Sequence, residues 1–181
     1  MIENCYSFAW ERRSQTLRQW GKDSTGLIEY KINDHGFRSP YNYNTVPGYA
    51  FFGNSIVFGI GIEQPHILTS HFENSQNYGL SGGYMNHHSV TNLQRFVASE
   101  LYSKYTKIVF FWIDRPEPIQ DMIDSVNKIA PGVLHISSGQ KRQGAINLMP
   151  HVDDDVSGTH PGPKTHNMWA KTIKLLLNRG E

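Results

Sequence analysis

Three stretches of the 181-residue chain hold chemically able side chains in settings that constrain them. In Gly53-Asn54-Ser55-Ile56-Val57-Phe58-Gly59, a serine follows the apolar run Tyr49-Ala50-Phe51-Phe52 across a glycine. A serine in the turn after a buried strand exposes its hydroxyl at the top of a sheet. Its own N–H faces the same space, so one residue can serve as nucleophile and as oxyanion donor. The same serine also suits a helix cap, and local sequence leaves both readings standing. In Asn77-Tyr78-Gly79-Leu80-Ser81-Gly82-Gly83, glycines free backbone N–H groups at a strand end, where they serve an oxyanion or merely a turn. The third stretch runs from Asp153-Asp154-Asp155 through Ser157 to His160-Pro161-Gly162-Pro163. Proline suits the first turn of a helix, because its missing N–H is not needed there. His160 is therefore expected on a rigid loop before the last helix, with acids upstream, as a general base requires.

Other patterns compete for the role. Gly79-Leu80-Ser81-Gly82-Gly83 spells G-x-S-x-G, the elbow that presents a nucleophile in α/β-hydrolases. That elbow follows a strongly apolar strand, and only Gln76-Asn77-Tyr78 precedes it here, so Ser81 is the lesser candidate. Nine histidines invite a metal. His87 and His88 are adjacent, however, and would point to different faces of a helix, while Pro161 and Pro163 break any helical pairing of His160 with His166. No metal and no cofactor is expected. Neither G-x-G-x-x-G nor the P-loop lysine pattern occurs, so no phosphate-binding loop is indicated. Tyr84-Met85-Asn86-His87-His88 is either a pocket rim or an exposed loop.

Together the three stretches resemble the SGNH (GDSL-type) hydrolase family, from about Gly48 to the C-terminus. Gly53-Asn54-Ser55 is similar to the family's Gly-Asp-Ser nucleophile motif. The stretch from Asn77 to Gly82 resembles its second block, and His160-Pro161 its His-Pro before the last helix. The resemblance implies Ser55 as nucleophile, His160 as base and the N–H groups of Ser55 and Gly82 as oxyanion donors. It further implies a three-layer, flavodoxin-like sandwich of five parallel strands with helices on both faces. The chain departs from the pattern in three places. Asn54 stands where the family has Asp. The block after the central strand reads Trp112-Ile113-Asp114-Arg115 and lacks the asparagine that gives a third oxyanion donor; Arg115 and Asn86 are the candidates to replace it. The family's acid, three residues before the histidine, is Ser157 here. Asp155, Asp154 or a backbone carbonyl must orient His160 instead, and Asp155, nearest in sequence, is the expected acid. The function implied is that of a serine esterase acting through an acyl-enzyme; short loops after the strands and no obvious lid fit small acyl groups such as acetyl on a carbohydrate, and thioester and lipid substrates stay open. An impaired relative that binds a ligand or a protein is the alternative.

The elements that must position these residues can be read from periodicity. Tyr49 to Phe52 and Lys107 to Ile113 are apolar on both faces, as buried parallel strands are. Asn74 to Leu80 and Val133 to Ile136 are weaker strands. Helical spacing appears over Ser89–Tyr105, Pro118–Ala130 and Lys164–Asn178, with a start expected at Ser89 or Thr91. Strand and helix alternate, which argues for a parallel sheet covered on both faces. Residues 1–47 are polar, aromatic and irregular apart from the alternating Leu27 to Asn33. They are expected to pack as an extension on a domain of residues 48–181.

Composition excludes the remaining classes. Seventeen basic against sixteen acidic residues give a net charge of +1, no general field for nucleic acid or an anionic membrane. Cys5, the single cysteine, cannot close an intrachain disulfide or build a cysteine zinc cage. No basic stretch leads into an apolar one at the start, and no run approaches the roughly 18 residues a membrane helix needs. A cytoplasmic location is expected, with a small-molecule or glycan ester as substrate, no nucleic-acid or membrane partner, and an oligomeric state that the sequence does not give.

Overall fold

The computed structural model describes residues 16–18, 28–33, 35–38, 48–81, 86–99, 102–105, 107–114, 116–139, 141–148, 150–155 and 158–179. Thr16–Arg18 (β1) and Glu29–Lys31 (β2) form a separate antiparallel pair. The main sheet is built from Tyr49–Gly53 (β3), Ser75–Gly79 (β4), Lys107–Trp112 (β5), Leu134–Ser137 (β6) and Ile146–Asn147 (β7). Its order is β4-β3-β5-β6-β7, and every neighbouring pair is parallel. In chain order this is 2-1-3-4-5, the flavodoxin-like winding of an α/β three-layer fold.

The two central strands explain the layers. In β3 and β5 alternate residues face opposite ways, and both sets are apolar. Ala50, Phe52, Ile108, Phe110 and Trp112 join one core, with Leu93 and Phe96 of helix α2 (Asn86–Val97) and Ile119, Ile123 and Val126 of α3 (Ile119–Ile129). Phe51, Val109 and Phe111 join the other, with Trp169, Ile173 and Leu177 of α4 (Pro163–Asn178). Each large side chain removed from water in these layers contributes about 1.5–3 kcal/mol. Between β3 and β4 lies a one-turn helix, Ser55–Phe58 (α1).

Several elements differ from the periodicity reading. Helix α2 begins at Asn86, three residues ahead of Ser89, because its start is fixed from elsewhere. Glu117 accepts from the backbone N–H groups of Asn86 (2.9 Å) and His87 (3.2 Å). The helix ends at Val97, and Tyr102–Lys104 forms a separate 3₁₀ turn. Strand β7 has two exposed residues and no pattern of its own; it exists as the edge partner of β6.

Residues 28–33 and 35–38 pack against the elements that follow. Phe37 joins the α2/α3 core and stacks edge-on against Tyr78, while Ile28, Tyr30 and Ile32 cluster with Phe58 and Ile60. Among the described residues no helix is long and apolar enough to cross a membrane.

Candidate active site

Ligands of open α/β sheets bind beyond the carboxyl ends of the strands where the winding reverses. Here that point lies between β3 and β5, which are neighbours although β4 intervenes in sequence. Ser55 follows β3 after the single residue Asn54, and Ile113 and Asp114 follow β5. A cleft of about 290 Å³ opens there, with Ser55, Ile113, Asp114, Gly139, His151 and His160 among its lining.

The turn that carries Ser55 depends on close approach. A Cβ on Gly53 would stand 2.6 Å from Val57 Cγ2 and 3.0 Å from the Phe111 carbonyl, so only glycine lets β3 turn this tightly into α1. Asn54 is the N-cap, its side-chain oxygen 3.5 Å from the N–H of Ile56. Its amide nitrogen is buried with no hydrogen-bond partner. Capping therefore falls to Asn54, and Ser55 is the first helical residue, where the N–H has no partner within the helix.

His160 reaches Ser55 across 105 residues of sequence, with Nε2 3.0 Å from Oγ. A narrow hairpin holds the histidine. Asp155 N–H donates to His160 O at 2.8 Å, Gly162 N–H to Asp153 O at 2.8 Å, and Asp154 bridges Pro161. Alternation along this arm sends the three acids to different tasks. Asp153 receives the N–H groups of Lys164 (2.8 Å) and Thr165 (2.7 Å) and the Thr165 hydroxyl (2.6 Å), which fixes the start of α4. Burial alone would raise its carboxyl, but these hydrogen bonds outweigh burial and hold it below the ordinary value. Asp154 is exposed and pairs with His151 at 3.3 Å. Asp155 has a wholly buried side chain turned toward His160. Its Oδ1 accepts from Thr159 N–H (3.2 Å) and His160 N–H (3.3 Å), while Oδ2 lies 3.7 Å from His160 Nδ1.

That 3.7 Å is an ion-pair separation, too long for a hydrogen bond. The Thr159 hydroxyl stands at hydrogen-bond distance from Nδ1, at 2.9 Å. For Nε2 to accept the serine proton, Nδ1 must carry its own, so Thr159 Oγ1 is the acceptor for it. Thr159 has no distinguishing signal in the sequence beyond its place before the histidine.

The remaining candidates are distributed as follows. Asn86 is fully buried and its side chain grips the end of β5, with Nδ2 2.9 Å from both Ile113 O and Glu117 Oε2 and Oδ1 accepting from Ile113 N–H at 3.2 Å. Both amide protons are thus committed, and in this geometry Asn86 anchors the strand end with no proton left for an oxyanion. Burial would raise the Glu117 carboxyl, but hydrogen bonds from His87 and Asn86 prevail and hold it low. Gly82, Arg115 and Ser157 lie outside the described residues. The chain leading toward Gly82 passes the end of β3, since Leu80 N–H donates to Gly53 O at 3.0 Å. Ser81 is buried beyond β4. Asp114, which lines the cleft, pairs with Arg142 at 2.8 Å. His166 is buried, accepts from Leu68 N–H at 2.8 Å, and is pushed by burial to about 3. Among the described residues no three His, Cys, Asp or Glu side chains gather as metal ligands.

Compared with protein-family models, with curated proteins and with solved structures, the chain shows no match.

Proposed function

We propose that the chain is a serine esterase of the SGNH type. The observation that carries this reading is the 3.0 Å separation of Ser55 Oγ and His160 Nε2 at the switch point of the sheet. Ser55 Oγ attacks the ester carbonyl as its proton passes to Nε2; the C–O bond to the alcohol breaks, and Nε2 returns that proton to the departing alkoxide. Water then attacks the acyl-serine, giving its proton to Nε2. Collapse releases the carboxylic acid and Nε2 re-protonates Ser55. The N–H of Ser55 holds the oxyanion, with Gly82 N–H as the second donor. The imidazolium formed in each half-reaction is steadied by the Asp155 carboxylate and directed by Thr159. The small cleft, with Asp114 and His151 in its lining, favours a short acyl group on a hydroxylated alcohol such as a carbohydrate. The reaction calls for no cofactor, nucleic acid or membrane.

A second reading, an impaired member that binds rather than turns over, is favoured by the commitment of Asn86. A missing side-chain donor costs about 2.7–4 kcal/mol of transition-state stabilisation. Labelling with a fluorophosphonate, which modifies activated serines, tests the first reading. An adduct mapped to Ser55, with turnover of short-chain esters lost in Ser55→Ala, is expected. Labelling at Ser81 overturns the site. No labelling, with ester turnover no better than in Ser55→Ala, leaves the binding reading.

A further inference from the structure

Among the described residues, the most completely buried charge outside the cleft is Arg38, from the extension, at 0% exposure. Its guanidinium spreads over the segment that follows the nucleophile. Nη1 donates to the carbonyls of Phe58 (3.2 Å) and Gly59, Nη2 to that of Ile62 (2.6 Å), and Nε to Gln64 Oε1 (3.1 Å). The plane lies against two rings, 4.5 Å from the centroid of Tyr30 and 5.7 Å from that of Phe58. No carboxylate among the described residues pairs with it. The charge is met by carbonyls, two of them at the C-terminal end of α1, where a cation is favoured. Burial lowers Arg38 to about 10, which leaves it charged at neutral pH.

What this grip holds in place is the wall behind Asp155. Gly61 sits between the gripped residues with φ +72°, and its N–H donates to Tyr30 Oη at 2.7 Å. A Cβ on Gly61 would stand 2.0 Å from Asp155 Oδ2 and 2.6 Å from its Cγ, so the Asp155 carboxylate rests directly on this backbone. Arg38 and Tyr30 thus fix one short segment. Its upstream end is the helix that starts with Ser55, and its middle is the surface against which the His160 hairpin is registered.

We propose that Arg38, seconded by Tyr30, is a positioning residue for the Ser55–His160 pair, so that the extension completes the active site. This rests on the esterase reading for its catalytic consequence, though not for the mechanical link itself. Arginine is required because a planar fork reaches several carbonyls at once, whereas a lysine ammonium is a single point charge. A misplacement of about 1 Å at a catalytic group costs on the order of 10²-fold in rate.

The experiment compares the full chain with Arg38→Met, Arg38→Lys and Tyr30→Phe, each checked for folding by near-UV circular dichroism. Two readouts are taken: kcat and KM on a short-chain ester together with the rate of fluorophosphonate labelling at Ser55, and hydrogen exchange of individual amides. Arg38→Met is expected to lower kcat and labelling by about 10–10²-fold with KM little changed. Arg38→Lys is expected to recover part of the loss. In Arg38→Met the Thr159 and His160 amides, which donate to Asp155, exchange faster while those of β5 keep their protection. A folded Arg38→Met that reacts and exchanges like the parent overturns the proposal. So does acceleration spread equally over loop and sheet, which would be lost stability and nothing more. If Arg38→Met does not fold, Tyr30→Phe decides, since it deletes only the hydroxyl that takes the Gly61 N–H. Faster exchange at Thr159 and His160 supports the link, and unchanged exchange overturns it. A parent that fails to label at Ser55 sinks the esterase reading, and the exchange readout still decides whether Arg38 governs the His160 loop.

Discussion

Replacing Asp155 with asparagine separates what its charge does from what its shape does. The carboxylate has two jobs in the structure. Oδ1 accepts the N–H groups of Thr159 and His160, and Oδ2 stands 3.7 Å from His160 Nδ1 with no solvent around it. Asparagine can keep the first job with its carbonyl oxygen, so the loop is expected to persist. It cannot keep the second. At 3.7 Å a unit charge pair at an effective dielectric of 20 is worth about 4 kcal/mol. That attraction exists only when His160 is an imidazolium, hence chiefly in the transition states. Asp155→Asn is therefore expected to lower kcat about 10³-fold, within the ~10⁴-fold loss seen for the acid of a well-studied triad. KM should change little, since the group touches no substrate. Asp154→Asn is the control: its side chain is more than half exposed and pairs with His151, so kcat should stay within about twofold. The assay is steady-state hydrolysis of a short-chain ester, with folding confirmed for each variant. A folded Asp155→Asn within tenfold of the parent would refute the reasoning. It would leave Asp155 a loop fastener and Thr159 the group that orients the base.

Thr159→Val removes the hydroxyl at 2.9 Å from Nδ1 and should lower kcat by about tenfold, with Thr159→Ser close to the parent; equal rates for Val and Ser would show that the hydroxyl does not direct the ring. Asp153→Asn loosens the start of α4 and should lower stability to denaturant by about 1–2 kcal/mol while leaving kcat near normal. Because the folded Asp153 carboxyl is held below its ordinary 3.8, its contribution is present above that pH and is lost as pH falls through the folded value, so the deficit of Asp153→Asn should shrink in acid unfolding below pH 3.8. His135, buried between Trp112 Nε1 (3.0 Å) and Asn127 Oδ1 (3.1 Å), is lowered by burial from 6.5 to about 4. The unfolded chain binds its proton first, so Tm should fall as pH drops from 6.5 toward 4, and His135→Asn should flatten that slope even though it is less stable at pH 7.

The parts of this molecule that sequence discloses are those whose cause is local. Phe51-Phe52 and Val109-Phe110-Phe111 read as central strands because both faces of each must be apolar, and both cores then follow from alternation along them. Ser55 and His160 were legible for a related reason. Each stands beside residues that restrict backbone geometry, Gly53 before the one and Pro161 after the other, so a rigid setting could be inferred without knowing the partner. Among the three aspartates, the period of an extended arm separates only Asp154 from the face of Asp153 and Asp155, and nearness in sequence is what points to Asp155. What stayed hidden depends on a second segment. The start of α2 is set by Glu117, 31 residues from Asn86, and that same carboxylate takes the Asn86 amide proton that an oxyanion would have needed. Arg38 sits in an irregular stretch where one more charge reads as solvated surface, and its burial is decided by carbonyls 20 to 24 residues away. Both charged groups are met in good part by peptide N–H groups or carbonyls, together with one or two side chains. A peptide group is present at every residue and leaves no mark in composition or charge pattern. Charges met by backbone are thus a class of positioning residue that sequence conceals, and here one braces the end of β5 and the other the segment that follows α1.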